Sequence, residues 1–94
     1  MKQNNGNMKV YNMESPNGNK VANQFEIYTD EGKYFQSYRS IIAFKDNKGQ
    51  VFLDDYYWDY SRTTGKYRNI FLNEGIVETR KKIKSGEYKL KELN

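Results

Sequence analysis

Ser61, Thr63 and Thr64 stand just ahead of Lys66 and Arg68, with Gly65 between them and Arg62 inside the group. Hydroxyl donors, a residue without a side chain and several cations can cradle a phosphate. They do so best where a helix begins and its first backbone N–H groups are free. The ordinary alternative employs the same hydroxyls as helix N-caps. Upstream lie Asp54, Asp55 and Asp59. With Glu74 or Glu78 and Lys66 they offer carboxylate oxygens to a divalent cation, the outline of a metal-dependent nuclease. Their spacing fits no ligand loop, so they read rather as a strand end and as partners for Arg62 or Arg68. Between the two groups run Tyr56, Tyr57, Trp58 and Tyr60. On an extended backbone Tyr57 faces away from the other three. Trp58 is expected in the core, and one or more tyrosines, Tyr57 among them, are left to stack on bases or anchor a protein partner.

The chain has no His and no Cys. That removes imidazole bases, thiolate nucleophiles, disulfides and most zinc or copper sites. A Ser or Thr nucleophile would lack its base. The expectation is a noncatalytic protein without a cofactor.

These residues occupy positions 53–72, a stretch with the only Trp and four of the nine Tyr. It reads as the end of a strand (51–53), a turn and a helix. Tyr67, Ile70, Phe71 and Glu74 recur at helical spacing, Arg62, Lys66, Asn69 and Asn73 lie opposite, and Gly75 is the expected left-handed stop. Phe71 joins Trp58 as an expected core residue. A second helix follows over 76–84, with Arg80, Lys81, Lys82 and Lys84 outward and Gly86 as its stop. Tyr88, Leu90 and Leu93 permit a last short strand.

Ahead of this stretch the chain alternates like a β-meander. Residues 21–29 and 34–44 are strands, joined by turns at Gly32 and Gly49; Ile41-Ile42-Ala43 breaks the alternation and implies a bulge or a strand buried on both faces. Residues 1–20, rich in Asn, Gly and Lys, bury too little to offset chain entropy and are expected to be largely disordered, above all the first seven. An edge strand over 8–13 and a type I′ turn at Asn17-Gly18 are compatible with the pattern. The fold class is therefore α+β: a three- to four-stranded antiparallel sheet, two short helices and room for a C-terminal strand, in one domain over 21–94.

The net charge of +4 is uneven. Residues 1–60 hold seven Lys/Arg against eight Asp/Glu, and residues 61–94 nine against four. A basic face is the footprint of contact with phosphate or an acidic protein, although many such faces are only solvated surface. Nothing in the sequence approaches a membrane span or a signal peptide, so a cytoplasmic location is expected.

The run from Trp58 to Leu72 has the pattern WDYSxTTxKYRxxFL, flanked by Phe35-x-Ser37-Tyr38 and Ile83-x-Ser85-Gly86-x-Tyr88. It resembles a family of small phage and mobile-element proteins without an assigned activity, over about residues 21–93. The resemblance implies a setting, the cytoplasm of an infected host, and no mechanism. The expected function is binding of nucleic acid or a nucleoprotein through Ser61, Arg62, Thr63, Thr64, Lys66 and Arg68, extended by Arg80, Lys81, Lys82 and Lys84, with Tyr57 beside them. The alternative is an anti-defence inhibitor of the anti-CRISPR kind, acting by contact with a host-defence protein.

Overall fold

Alternating side chains interrupted by turn residues build a sheet, and the helical spacing after Ser61 builds its cover. The computed structural model describes residues 8–94. The elements run β1 (Lys9–Glu14), β2 (Lys20–Thr29), β3 (Gly32–Ser37), β4 (Ser40–Asp46), β5 (Val51–Asp54), α1 (Arg62–Leu72), α2 (Ile76–Ser85) and β6 (Tyr88–Lys91). All six strands share one sheet in the order β1-β2-β3-β4-β5-β6. The first five pair antiparallel, and β6 lies parallel to β5.

The sheet is thus wider than the three or four strands expected, and mixed rather than antiparallel. Two pairings and a break account for the difference: the expected strand 34–44 is two, β3 and β4, folded back on each other at Tyr38-Arg39, and each end of the sheet gains a strand. The edge strand over 8–13 forms as β1 because β2 is long enough to pair with it from Lys9↔Tyr28 to Glu14↔Lys20. A register shift between Asn12 and Glu14 lets Met13 enter the core. Lys9–Glu14 is thus the edge strand that the pattern permits within 1–20; the first seven residues lie outside the described residues. At the other end the chain crosses through two helices, a connection long enough to return β6 parallel to β5.

Three turns show how the meander is cut. Gly18 N–H donates to the Ser15 carbonyl at 2.8 Å, with Pro16 next after Ser15 and Gly18 at φ +84°. Asn17 has no positive φ, so the turn is of type I with a glycine exit and not type I′. Asp46-Gly49 repeats the device, and the Asp46 carboxylate accepts from the N–H groups of Lys48 and Gln50. Gly32 opens β3 at φ +147°, where a Cβ would collide with the Lys45 carbonyl oxygen and stand 2.8 Å from the Asp46 Cα.

One face of the sheet carries the helices. Phe35 stacks on Phe71 of α1 with ring centroids 5.8 Å apart, and Ile42, Ala43, Leu53, Tyr67 and Leu72 complete the centre of the core. The irregularity at Ile41-Ile42-Ala43 is a bulge: Gln36 pairs with Ile41 and Phe35 with Ala43. On the opposite face Tyr34, Phe44 and Phe52 form a half-buried stack, with centroids 4.3 and 6.1 Å apart, and Lys91 Nζ lies 5.1 Å from the Phe52 ring. α1 ends at Asn73, in the left-handed conformation, rather than at Gly75, which instead begins α2; Gly86 stops α2 as expected. Among the described residues no helix is long and apolar enough to cross a membrane.

Gly32→Ala should cost about 3 kcal/mol, the sum of a strained backbone and a backbone clash. Gly18→Ala, at a positive φ but in open space, should cost only about 1 kcal/mol. Thermal unfolding of the two variants checks this: Gly32→Ala should melt at least about 10 °C below the parent chain and well below Gly18→Ala.

Candidate functional site

Helix α1 starts at Ser61, whose extended backbone (φ −150°) and side-chain oxygen, accepting from Thr64 N–H at 3.2 Å, fix the first turn. Thr64 turns inward: its hydroxyl lies 3.1 Å from that of Ser61 and 3.0 Å from that of Ser37, and the residue is buried. It is a link between helix and sheet and has no free face for a phosphate.

Arg68 is also not where its charge suggested. It is 1% exposed, beneath α1 and not on its outer side. Its Nη1 donates to the Trp58 carbonyl at 2.8 Å and to Asp59 Oδ1 at 3.0 Å, and its Nη2 donates to Asn69 Oδ1 at 3.0 Å. Trp58 covers it, the guanidinium carbon lying 5.4 Å from the ring centroid. Trp58 is therefore a half-buried cover packed against the core, whereas Phe71 lies within it. Helical geometry explains the exchange with Ile70, which is 42% exposed: the buried side is centred on Thr64, Tyr67, Arg68 and Phe71. A long side chain at that position can be kept only if its charge is paired.

Lys82 is likewise engaged. Its Nζ donates to Glu74 Oε1 at 2.7 Å, and the same carboxylate accepts from the Thr79 hydroxyl at 2.6 Å and the Tyr88 hydroxyl at 2.9 Å. Burial pushes the Glu74 carboxyl up, but the three hydrogen bonds outweigh it and hold it below its ordinary value. The Tyr88 hydroxyl is pushed up to about 12 by burial and by its bond to Glu74. Asp54 behaves like Glu74: burial raises it, while donors from Leu93, Tyr57, Asn94 and Tyr56 bring it below the usual range. Asp54, Asp59 and Glu74 thus belong to three separate networks. Among the described residues no three acidic side chains gather where a metal ion would need them.

The outward cations do converge. Arg62 and Lys66 of α1 and Arg80 of α2 line a groove of about 670 Å³ between the helices, floored by Gly65 and Arg68. Asp59 ties the two walls, pairing with Arg68 at 3.0 Å and Arg80 at 3.6 Å. Lys81 and Lys84 extend the charge along α2, Lys81 lying 3.8 Å from Glu78.

Ser61 lines this groove and also a second cavity, of about 400 Å³, on the other side of the α1 N-terminus. The cavity has no charged lining. Tyr57 and Tyr60 stand on one side with centroids 5.2 Å apart, Thr63 lies on α1, and Ser37, Tyr38 and Ser40 come from the β3–β4 turn. Tyr38 holds φ +57°, uncommon for a bulky residue; its N–H donates to the Asn23 carbonyl at 2.7 Å and its carbonyl accepts from Gln36 Nε2 at 2.8 Å. The turn residues were missed in the sequence. Their one signal is that a two-residue turn, Tyr38-Arg39, contains neither Gly nor Asn.

A family model described as a family of unknown function (DUF8033) matches residues 8–89, and the chain belongs to that family. The match takes in β1, beyond the residues 21–93 of the resemblance. No curated protein and no solved structure matches the chain.

Lys82→Glu should destabilise the fold clearly, because it would face the buried Glu74 carboxylate, whereas Lys81→Glu should shift the melting temperature by no more than about 2 °C. Both are read by thermal unfolding. Glu74 and Asp54 have lowered folded values, so their contribution is complete above the ordinary carboxylate range and drains as pH falls through the folded values. Denaturation midpoints should therefore drop as pH falls below about 4, and Glu74→Gln should start lower and fall less steeply.

Proposed function

We propose that this DUF8033 protein is a noncatalytic accessory protein that binds nucleic acid, or a nucleoprotein, through the groove between α1 and α2. The observation that carries the reading is the convergence of Arg62, Lys66 and Arg80, from two helices, on the N-terminal end of α1. The first turn of that helix has no acidic residue, so the positive end of its dipole adds to the cations. Asp59 is divided between Arg68 and Arg80, and an exposed pair such as Arg80–Asp59 is weak enough to open toward a phosphate. Lys81 and Lys84 supply further sequence-independent contacts, while Arg68, Thr64 and Lys82 position the surface rather than touch the ligand. The resemblance to phage and mobile-element proteins supplies the setting, with host nucleic acid or its complexes in the cytoplasm as partner.

A second reading, an anti-defence inhibitor working by protein contact, draws on the Tyr34-Phe44-Phe52 stack of the open sheet face and on the exposed Tyr56. Capture of a host protein that persists after nuclease treatment, and is lost in a Phe44→Ser variant, favours it.

Binding through the groove releases counterions, so the logarithm of affinity should fall linearly with that of salt concentration. Lys66→Gln should weaken binding at low salt and lower that slope by about 1, with little change in stability. Titration of a labelled duplex and a labelled single strand at several salt concentrations tests this. No binding of either at about 50 mM salt removes the proposal.

A further inference from the structure

We infer that the uncharged cavity beside the groove receives one unpaired nucleobase, whose phosphate lies in the groove; this rests on the nucleic-acid reading above and names the form of nucleic acid held. The two spaces meet at Ser61, the N-cap of α1, which lines both. One side of that residue offers cations and helix N–H groups, and the other offers rings and hydroxyls without charge. A ligand that fills both has an anionic group joined to a neutral, flat, polar ring, which is the chemistry of a nucleotide. A sugar alone would leave the cations unused, and inorganic phosphate would leave the rings unused.

The cavity suits the ring. Its volume of about 400 Å³ lies in the range of small-ligand sites. Tyr60 is 62% exposed beside Tyr57, with a face open for stacking, and Tyr38 stands on the turn side, fixed by the bonds that hold its positive φ. The hydroxyls of Ser40 and Thr63 make no hydrogen bond among the described residues, so each can donate to or accept from a base edge. Opposite Ser37 in the β2–β3 register, Gln24 is 0% exposed and neither its amide oxygen nor its nitrogen has a partner. It lies on the same side of the sheet, behind Ser37 and outside the cavity's lining. A paired base is stacked inside a duplex and cannot enter, so the cavity selects single strands or free nucleotides.

The test is a fluorescence-anisotropy titration of the full chain with a short labelled single strand, the same strand carrying abasic sites, and the matching duplex. The intact single strand should bind at least about 5-fold more tightly than the abasic strand or the duplex, the effect of one stacked base. Tyr60→Ala, which removes an exposed ring, should cost about 5-fold or more on the intact strand and leave the abasic strand and the duplex unchanged. Competition by a mononucleotide at micromolar concentration would identify a free nucleotide as the source of the base. Failure of the mononucleotide to compete, with the single-strand preference intact, would identify a strand. If the abasic strand binds as well as the intact one and Tyr60→Ala changes nothing, while Lys66→Glu still weakens binding, the cavity assignment is overturned and the groove stands. If no nucleic acid binds, both fall together.

Discussion

A buried guanidinium sets the geometry of this protein. Arg68 is taken out of water, a step that costs several kcal/mol unless every donor is used well. Its Nη1 and Nη2 reach the Trp58 carbonyl, Asp59 and Asn69, its Nε is buried without a hydrogen-bond partner, and the Trp58 ring closes over it. The segment between β5 and α1 has no ladder of its own; these bonds hold its Trp58-Asp59 end, as the Asp54 carboxylate holds the N–H groups of Tyr56 and Tyr57 at its start. Asp59, held by Arg68, then reaches Arg80 of α2. One desolvated cation thereby places the aromatic segment on one side of α1 and the second helix on the other.

The remaining buried charges follow the same division of labour. Glu74 gathers Lys82, Thr79 and Tyr88, and so binds the end of α1 to α2 and β6. Asp54 accepts from Leu93 and Asn94, and Asn94 in turn exchanges two hydrogen bonds with the backbone of Ile41. Charges drawn into these networks hold the architecture. Those left out, Arg62, Lys66 and Lys84 among them, face solvent on the helical side. A basic count for residues 61–94 overstates the ligand-facing charge because it does not separate the two groups.

Much of the fold was legible because it is local. Alternation, Gly32, Gly49 and the Ser61 cap report on neighbours a few residues away, and the elements they mark form there, except that the expected strand 34–44 is cut into β3 and β4 at Tyr38-Arg39, where no turn residue announces the break. β1 and β6 were harder. A strand at either end of a sheet takes its order from one partner far along the chain, and neither Lys9–Glu14 nor Tyr88–Lys91 carries a strong pattern alone. The basic groove was partly legible, since Arg62, Lys66 and Arg80 are cations on helices whose apolar sides were visible. Arg68 was misplaced because helical spacing marks a buried side by its apolar members and takes a charge there for surface. The cavity was not legible: Ser37, Tyr38 and Ser40 meet Tyr57, Tyr60 and Thr63 only because β3, β4 and α1 pack together.

The parallel pairing of β6 with β5 bears on the order in which the molecule assembles. Each antiparallel pair from β1 to β5 closes over a turn of a few residues. The β5–β6 pair must close over residues 55–87, both helices included. A loop roughly tenfold longer costs about 2 kcal/mol more in closure entropy. The meander can therefore form early as a set of hairpins, while β6 docks only after α1 and α2 are in place. Until then the open edge of β5, with Val51, Phe52 and Leu53, is an available template for a strand from another chain. The last strand thus acts as the guard of β5: its arrival replaces that apolar edge with a four-residue one that carries Lys89 and Lys91.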